Sequence, residues 1–548
     1  MCKSSLWSEM TSVFLALTWF AVTVISHECI HHKIAKQLTP LRQLREPLMT
    51  DKTSPLLSDR ERMLEAASNS EYRQMKMVFD FSNIQSIDTD TRSFIENVLL
   101  IQMQRRIQTI IKVNGPTTIP AFSETGCDQM IKVPSSYANT VTKADLLIIV
   151  GAAEDKDTYV AYASPCLLNS FNSRPSVGMI MINLSKLQIY RDSVDKFVSV
   201  LLHELFHILV LSPTLFDHFP ITKSKAVSSE MRSTKIGSSQ ISKIISPGLV
   251  AAGKKHLGCT SFDGIFLENE GGSASAGSHF EKAITGNDLM TAEENGRMVL
   301  SFWTLNLLND CGWYSVDLLK AENLDWGKNQ GCGFINANCN TKYPSFCSTE
   351  GKMACSEDYF SKQVCISQSF SDGCLIYENP ASSDCSSAYG IKQTSLYEGF
   401  GPKSRCFATN IDGQSTVGCY SSSCDVNSIK IKIANTTLSC TKAGESIQYE
   451  DLTIVCPDVK DFCSRMNQTC TNDCSGRGKC LQSKDCFCDY FSEGADCSTL
   501  NACGLAQTTC AKMERLSDVV KTTSSSGSLS FAAAVVAIQF VLIALLFK

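Results

Sequence analysis

The sequence predicts an α+β domain built around a metal-binding helix and followed by a disulfide-rich region. Three observations lead to this fold class. Strand-like apolar runs come first, and an apolar helix with the motif His203-Glu204-Leu205-Phe206-His207 follows them. Of the 27 cysteines, 22 lie between Cys311 and Cys510. Strands followed by a central helix that is apolar on every side are typical of an α+β domain whose helix lies in the core.

The length and charge of the chain limit its class. At 548 residues the chain is too long for one compact core, so we expect several domains. A net charge of −5 and the lack of a long basic run in the sequence argue against nucleic acid as a partner.

Both ends of the chain carry apolar segments that predict passage through the secretory pathway. In residues 1–26, Lys3 precedes a short apolar stretch, which is typical of a cleaved signal peptide. Residues 27–75 are charged and poor in strand patterns, and we interpret them as a pro-segment. A linker, 501–530, leads to the hydrophobic segment 531–548, which predicts a membrane anchor. A glycosylphosphatidylinositol (GPI) signal is favoured over a spanning helix, because the apolar run is slightly shorter than a bilayer core requires.

Strand-like runs begin at residue 76, where the charged segment ends. Four predicted strands and one helical pattern precede the metal-binding motif. The strands cover 77–81, 146–150, 158–163 and 179–182, and the helical pattern covers 93–113. Strand 158–163 is also a candidate for holding an extended peptide by β-addition, with an ordinary sheet strand as the alternative.

The motif at 203–207 predicts one bound Zn²⁺. Histidines at i and i+4 stand one helical turn apart, so both imidazoles can reach one ion while Glu204 reaches the attacking water. Burying two histidines and a glutamate without a metal would be unfavourable, because each polar group loses its contacts with water. We place the start of this helix at Ser193, a good N-cap residue.

A catalytic zinc site needs three protein ligands, and the residues alone leave the third one open. Pro213 stands where the shortest motif of this class would place its third histidine, so that compact arrangement is excluded. The remaining candidates are His218, His256, His279 and Glu230.

Several segments of the chain resemble the leishmanolysin family of surface zinc peptidases. These segments are 175–178, 268–282, Asp288-Leu289-Met290 and 326–334. The resemblance implies a metzincin-like zinc endopeptidase domain with a long insertion before its third ligand, acting on proteins or peptides. It also implies a role for each of five residues: His203, His207 and His279 as zinc ligands, Glu204 as the catalytic acid/base, and Met290 as the Met-turn beneath the zinc. An ordinary core methionine is the alternative for Met290.

Two further expectations depend on this resemblance. Val210 stands where the family has glycine, and a β-branched residue is poorly suited to positive φ. The helix is therefore expected to continue toward Ser212 before Pro213 ends it. Precursors of the family carry a short His-x-Cys-x-His element, which His27-Glu28-Cys29-Ile30-His31 resembles. Cys29 is therefore a candidate to cap the zinc from the pro-segment. The alternatives are a cysteine that forms a disulfide and histidines that bind adventitious metal.

We divide the folded part of the chain into four regions. An N-terminal catalytic subdomain with the HExxH helix covers 76–212, and a central subdomain with the third ligand and the Met-turn covers 213–338. A cysteine-rich domain, 339–466, precedes 467–500, where six cysteines have the spacing of an EGF-like module. This cysteine density predicts an oxidising compartment.

The cysteine count and three sequons also bear on the kind of protein. Without Cys2 and Cys29 an odd number of cysteines remains, which leaves one thiol free or paired outside the chain. Sequons at Asn183, Asn435 and Asn467 are compatible with a glycosylated ectodomain. We favour a zinc metalloendopeptidase, secreted or at the cell surface. The alternative is a weak or inactive surface adhesion protein that uses the cysteine-rich and EGF-like regions.

Overall fold

A computed structural model of the chain describes the backbone of residues 42–43 and, in full, 72–115, 117–123, 131–156, 159–187, 194–220, 226–271, 276–293, 296–336, 338–380, 383–387, 396–467 and 469–500. The predicted signal peptide, nearly all of the pro-segment with Cys29, the linker 501–530 and the hydrophobic segment 531–548 lie outside the described residues, as does Ser193. Of the helices within the described ranges, none has the length and apolar character needed to cross a bilayer.

The main sheet carries the helix of the metal-binding motif. Its five strands are β1 (Arg42–Gln43), β2 (Met77–Asp80), β3 (Leu146–Ala153), β4 (Ala161–Leu168) and β5 (Pro175–Asn183). Their order is β1-β4-β5-β3-β2, with β2, β3 and β5 parallel and β4 antiparallel to β5. Every residue of β4 and β5 is buried, as expected for strands that are covered on both faces. All four predicted strands are present, although β4 starts and ends later than 158–163.

Different parts of the chain cover the two faces of this sheet. Ile148 and Ile180 belong to the apolar cluster that contains the helices, whereas Leu147 and Met179 pack with Ile119, Phe122 and Ile131. This alternation along each strand is the expected two-residue period.

The helical pattern predicted over 93–113 is only partly helical. It contains α1 (Thr89–Phe94), a π-helical turn (Ile95–Leu99) and α2 (Leu100–Gln108). The prediction was wrong at its end, because Ile111–Val113 forms a strand that pairs with Tyr314–Val316. Ile111 and Val113 are β-branched and buried on one face with an exposed lysine between them, a pattern that fits a strand.

The helix of the HExxH motif, α4 (Val194–Leu209), follows the short α3 (Leu184–Leu187) and packs against β4 and β5. Almost all of its side chains are buried, because it is apolar on every side. A Cβ at Gly178 on β5 would lie 2.6 Å from Cγ2 of Ile208, so the helix can approach the sheet this closely only over a glycine.

The end of α4 differs from the prediction made for Val210. The helix ends at Leu209 and does not continue toward Ser212. The Val210 and Leu211 amides both donate to the Phe206 carbonyl, which closes the last turn. Val210 does not take positive φ, so the chain leaves the helix without a left-handed residue and valine fits there without backbone strain.

The central part of the chain contains a β-hairpin that the sequence did not predict. It consists of β6 (Val227–Thr234) and β7 (Gly237–Ile244), and β8 (Ile265–Phe266) pairs with β7. Most side chains of the hairpin are at least partly exposed, which explains why its Ser- and Lys-rich sequence lacks a strand pattern. The helices of this part are α5 (Pro247–Leu257), α6 (Lys282–Thr285) and α7 (Phe302–Asp310).

Short strands make up the C-terminal part. A three-stranded sheet contains Met353–Cys355, Lys362–Ser367 and Leu375–Glu378. An antiparallel six-stranded sheet contains Ser404–Ile411, Gln414–Asp425, Ser428–Ile433, Thr436–Cys440, Ser446–Tyr449 and Leu452–Val455, and α8 (Val459–Met466) follows it. In 470–500, Gly478–Cys480 pairs with Cys486–Cys488, and Ser492–Glu493 pairs with Thr499–Leu500.

Disulfides cross-link this part, as the cysteine density predicted. The described residues form ten disulfides: 259–332, 339–374, 347–365, 355–406, 385–419, 424–463, 440–456, 470–480, 474–486 and 488–497. Cys166 is disulfide-bonded too, and Cys311 is the free cysteine of the described part, buried in the core. The fold class is thus confirmed as a mixed helix and sheet domain with a disulfide-rich C-terminal region. The EGF-like module stays a prediction.

The segment 470–500 packs against the first turn of α4. The Tyr490 amide donates a 3.0 Å hydrogen bond to Oδ1 of Asp195, and Asp489 is close enough to interact with the same carboxylate. Both carboxylates line a cavity of about 310 Å³. Burial raises the pKa of Asp195 to about 6. Burial and the charge of Asp195 raise the pKa of Asp489 to about 7, while Lys479 opposes this shift.

Candidate metal centre

Three of the predicted ligands lie together in the core. His203 and His207 stand one turn apart on α4, and His279 reaches them from the loop before α6. Ring centroids are 4.7 Å apart for His203 and His207, 4.8 Å for His207 and His279, and 5.2 Å for His203 and His279. Their ligand atoms all lie within 4.8 Å of one another, a spacing that suits one metal ion.

The second nitrogen of each ring is already used by a hydrogen bond. His203 Nδ1 lies 2.6 Å from the Leu289 carbonyl oxygen, and His207 Nδ1 lies 2.8 Å from the Leu211 carbonyl oxygen. His279 Nδ1 lies 3.2 Å from Ser278 Oγ. A carbonyl can only accept, so Nδ1 of His203 and of His207 must carry the proton.

These tautomers give the site its preference for a cation. With Nδ1 protonated, the Nε2 atoms of His203 and His207 present lone pairs to each other across only 3.0 Å. Two facing lone pairs repel, and a cation between them removes the repulsion. Burial also lowers the pKa of His203 to about 4, so this imidazole is neutral, the form that binds a metal. Three imidazoles whose other nitrogens bond backbone or hydroxyl oxygens are a donor set that fits Zn²⁺.

Glu204 adds a carboxylate next to these histidines. It is completely buried on α4, and burial raises the pKa of its carboxyl well above the usual range. The backbone amide of Ala163, on β4, donates to this carboxylate and opposes the shift. Glu204 therefore connects the metal-binding helix directly to strand β4, and a raised pKa suits a group that takes up and releases a proton.

Backbone pairing with the hairpin sheet brings His279 to the site. The Glu268 amide donates to the His279 carbonyl (2.9 Å), and the Glu281 amide donates to the Phe266 carbonyl (3.0 Å). Because Phe266 ends β8, the loop that carries His279 continues the hairpin sheet by one more short strand pairing. The long insertion before His279 is thus a folded support for that residue.

The loop with Met290 lies next to the histidines. Met290 is completely buried, and its carbonyl accepts from the Phe280 amide, next to His279. The neighbouring Leu289 carbonyl is the partner of His203. Asp288 holds the loop, since its carboxylate accepts from the Met290 amide, Ser301 Oγ and Thr304 Oγ1. Burial raises the pKa of Asp288 to about 6, and these donors oppose the shift.

The other candidates for the third ligand lie elsewhere. His256 Nε2 lies 2.8 Å from the Trp326 carbonyl oxygen, and its ring packs against Phe302. Glu230 forms a 2.6 Å ion pair with Lys243. His218, in the 3₁₀ turn Phe216–His218, is not part of the histidine cluster. Within the described ranges, only Cys470, Cys474 and Cys486 form another such cluster, and they are disulfide-bonded.

Sequence reasoning did not identify the groups that orient the histidines and Glu204. These are the carbonyls of Leu289 and Leu211, the Ser278 hydroxyl and the Ala163 amide. Three of them are backbone groups, which carry no side-chain signal that a sequence pattern could reveal.

Comparisons with known proteins point to one family. A family model described as leishmanolysin, peptidase M8, matches residues 85–373. The ciliated left-right organizer metallopeptidase of Danio rerio is 28% identical over 326 residues, which cover 55% of this chain and 52% of that protein. The protein of the same name in Mus musculus is 31% identical over 296 residues, which cover 50% of this chain and 42% of that protein. Leishmanolysin of Leishmania donovani is 27% identical over 267 residues, 48% and 42% of the two chains. The chain spans about half the length of the curated relatives it matches.

Proposed function

The chain belongs to the leishmanolysin family of zinc metalloendopeptidases, and from this premise we propose that it is itself a zinc metalloendopeptidase that cleaves proteins or peptides. In this proposal His203, His207 and His279 bind one Zn²⁺ per chain, Glu204 is the general base and acid, and Met290 supports the ligands from below.

One observation carries the proposal. The three imidazoles offer their remaining nitrogens within 4.8 Å of one another, and two of these imidazoles are on the same helix as a buried glutamate. Two of them face each other at 3.0 Å, an arrangement that a bound cation stabilises. A purely structural histidine cluster would be expected to donate to its neighbours instead of opposing lone pairs.

The residues of the site account for the steps of hydrolysis. Zinc, when bound, acts as a Lewis acid that activates water and polarises the scissile carbonyl. Glu204 accepts the proton of the attacking water and then donates it to the leaving amine. The carbonyls of Leu289 and Leu211 keep His203 and His207 in the tautomer that binds metal.

Strand β4 is our candidate for holding the substrate. The two residues of β1 pair with its outer edge at Leu167 and Leu168. The candidate segment 158–163 ends at Ala163, whose amide reaches Glu204, so an extended peptide added there would lie beside the site. Addition of a peptide strand to such an edge uses main-chain hydrogen bonds, which favours binding of unstructured segments.

The remaining parts of the proposal concern where the enzyme acts. Ten disulfides support an oxidising compartment and hence secretion or the cell surface, with a GPI anchor favoured over a single-pass helix. Of the three sequons, Asn435 and Asn467 are exposed. Asn183 is completely buried and its amide donates to the Tyr159 carbonyl, so we assign glycans only to the exposed pair. Cys29 remains our candidate for capping the zinc in the precursor.

The decisive experiment separates metal binding from catalysis. Glu204→Ala should leave one zinc per chain, because Glu204 is not a ligand, and should lower peptidase activity by about 10²–10⁴-fold. Activity is measured on an unstructured protein with and without a chelator, and zinc by elemental analysis. Glu230→Ala is the matched control, because it removes a glutamate outside the site and should leave both readouts unchanged. Equal peptidase activity of Glu204→Ala and the wild-type protein would refute the assignment of Glu204 as general base and acid. If both proteins are inactive, the result favours the adhesion alternative.

A further inference from the structure

Arg232 is a buried cation on strand β6 that faces the loop of the third ligand. Its side chain is only 8% exposed, and Nη1 lies 3.4 Å from Oε2 of Glu281 and 2.7 Å from Oδ2 of Asp372. The guanidinium also lies over the ring of Phe266, 4.7 Å from its centroid. Arg232 thus connects the hairpin, the loop after His279 and the disulfide-rich region.

Glu281 is the acceptor through which Arg232 can reach the metal site. Its side chain is completely buried, and it follows His279 by two residues. Its amide donates to the Phe266 carbonyl, and its Oε1 accepts from the Ala283 amide at the start of α6. A buried carboxylate without a cation is strongly unfavourable, so loss of Arg232 would move the backbone that carries Glu281.

We propose that Arg232 is a positioning residue for the third zinc ligand, acting through its ion pair with Glu281. The proposal rests on the proposed function only insofar as His279 binds zinc. In this view the hairpin in the insertion sets the zinc affinity of the site, although none of its residues touches the metal.

Lys243 provides an unusually close control. It is on the adjacent strand β7, its side chain is 4% exposed, and it pairs with two carboxylates, Glu230 at 2.6 Å and Asp263 at 2.9 Å. Its Nζ lies 5.7 Å from the centroid of the same Phe266 ring. Neither of its carboxylate partners is in the loop of His279, so its loss should affect stability without affecting the zinc ligand.

The test measures zinc affinity by competition with a chelator. Arg232→Met should raise the zinc dissociation constant about tenfold, as expected for residues that orient metal ligands, whereas Lys243→Met should change it less than about twofold. Both variants should lower the melting temperature. The double variant Arg232→Met/Glu281→Gln removes the unpaired carboxylate and should restore most of the lost zinc affinity. A role limited to packing on Phe266 would not be rescued in this way.

Three other outcomes of these measurements would refute the proposal. Equal zinc affinity of Arg232→Met and wild type, equal losses in Arg232→Met and Lys243→Met, or no rescue in the double variant would each overturn it. If Arg232→Met does not fold, Arg232→Lys keeps the charge but loses the planar fork, and should weaken zinc binding about threefold. An unchanged affinity there overturns the proposal too. A wild-type protein that binds zinc but cleaves nothing would refute the peptidase alone, and one that binds no zinc would refute both.

Discussion

The pair Asp195 and Asp489 makes the contact between α4 and the segment 470–500 dependent on pH. In the folded protein their pKa values are raised to about 6 and about 7. An unfolded chain has aspartate pKa values near ~3.9. Between these limits the folded state binds more protons than the unfolded state, so this pair lowers the free energy of unfolding as pH rises from about 4 to 7. The contact should therefore be stronger at acidic than at neutral pH.

The effect of Asp489→Asn follows from the same shift. A pKa near 7 is about three units above the value in the unfolded chain. At 1.36 kcal/mol per unit, this shift changes the free energy of unfolding by at most about 4 kcal/mol. Both carboxylates face a cavity, and Lys479 offsets part of the repulsion, so we expect about half of that limit. Asp489→Asn should thus stabilise the contact by about 2 kcal/mol at pH 8 and leave it unchanged at pH 4.

Amide hydrogen exchange within 470–500 measures this directly, because wild type and variant are compared at one pH. At pH 8, about 2 kcal/mol corresponds to roughly thirtyfold slower exchange in Asp489→Asn. Asp485→Asn is the control, since Asp485 is on the same segment but 64% exposed and has a lowered pKa, so its removal should not slow exchange. Equal or faster exchange in Asp489→Asn at pH 8 would refute the reasoning.

Four further predictions concern the metal site and its regulation. His279→Ala should empty the zinc site, whereas His256→Ala should keep its zinc, as measured by elemental analysis; the reverse result would move the third ligand. Asp288→Ala removes the acceptor of three buried hydrogen bonds. It should lower the free energy of unfolding in denaturant by about 3 kcal/mol and weaken zinc binding, and a decrease below about 1 kcal/mol would argue that Asp288 does not hold this loop. A precursor with Cys29→Ser should cleave substrate before removal of the pro-segment while the wild-type precursor is inactive, and two inactive precursors would exclude capping by Cys29. Phosphatidylinositol-specific phospholipase C should release the protein from cells, and recovery of a peptide from 531–548 in the mature protein would favour a spanning helix instead.

The sequence predicted the parts of this protein that depend on local spacing. The helix with His203 and His207 follows from the i, i+4 pattern within an apolar run, and the buried strands follow from their apolar runs. The place of His279 could not be derived in this way, because it follows His207 by 72 residues and is brought to the site by the pairing of Leu267 with Phe280. Residue chemistry left four candidates, and only the family resemblance separated His279 from the others.

Two other features were beyond sequence reasoning for physical reasons. The hairpin of β6 and β7 is largely exposed, so it has no apolar alternation that a pattern could reveal. The pairing of the cysteines could not be predicted, since the number of possible connectivities grows steeply with their count. The prediction that the helix continues past Val210 was wrong for a different reason. It assumed that the chain can leave the helix here only through a residue with positive φ, whereas Val210 has ordinary backbone angles.

The Cys259–Cys332 disulfide has a consequence for how the protein matures. It closes a ring of 73 residues that contains His279 and Met290 but neither histidine of α4. Closing a loop of this length lowers the entropy of the unfolded chain, which raises its free energy by about 4 kcal/mol at 25 °C. Before oxidation, the free thiols of the chain would compete with the histidines for zinc, because thiolates are strong zinc ligands. Maturation is therefore expected to be ordered, with oxidation before metal loading, and a chain made in a reducing compartment would contain the metal-binding helix without a completed zinc site.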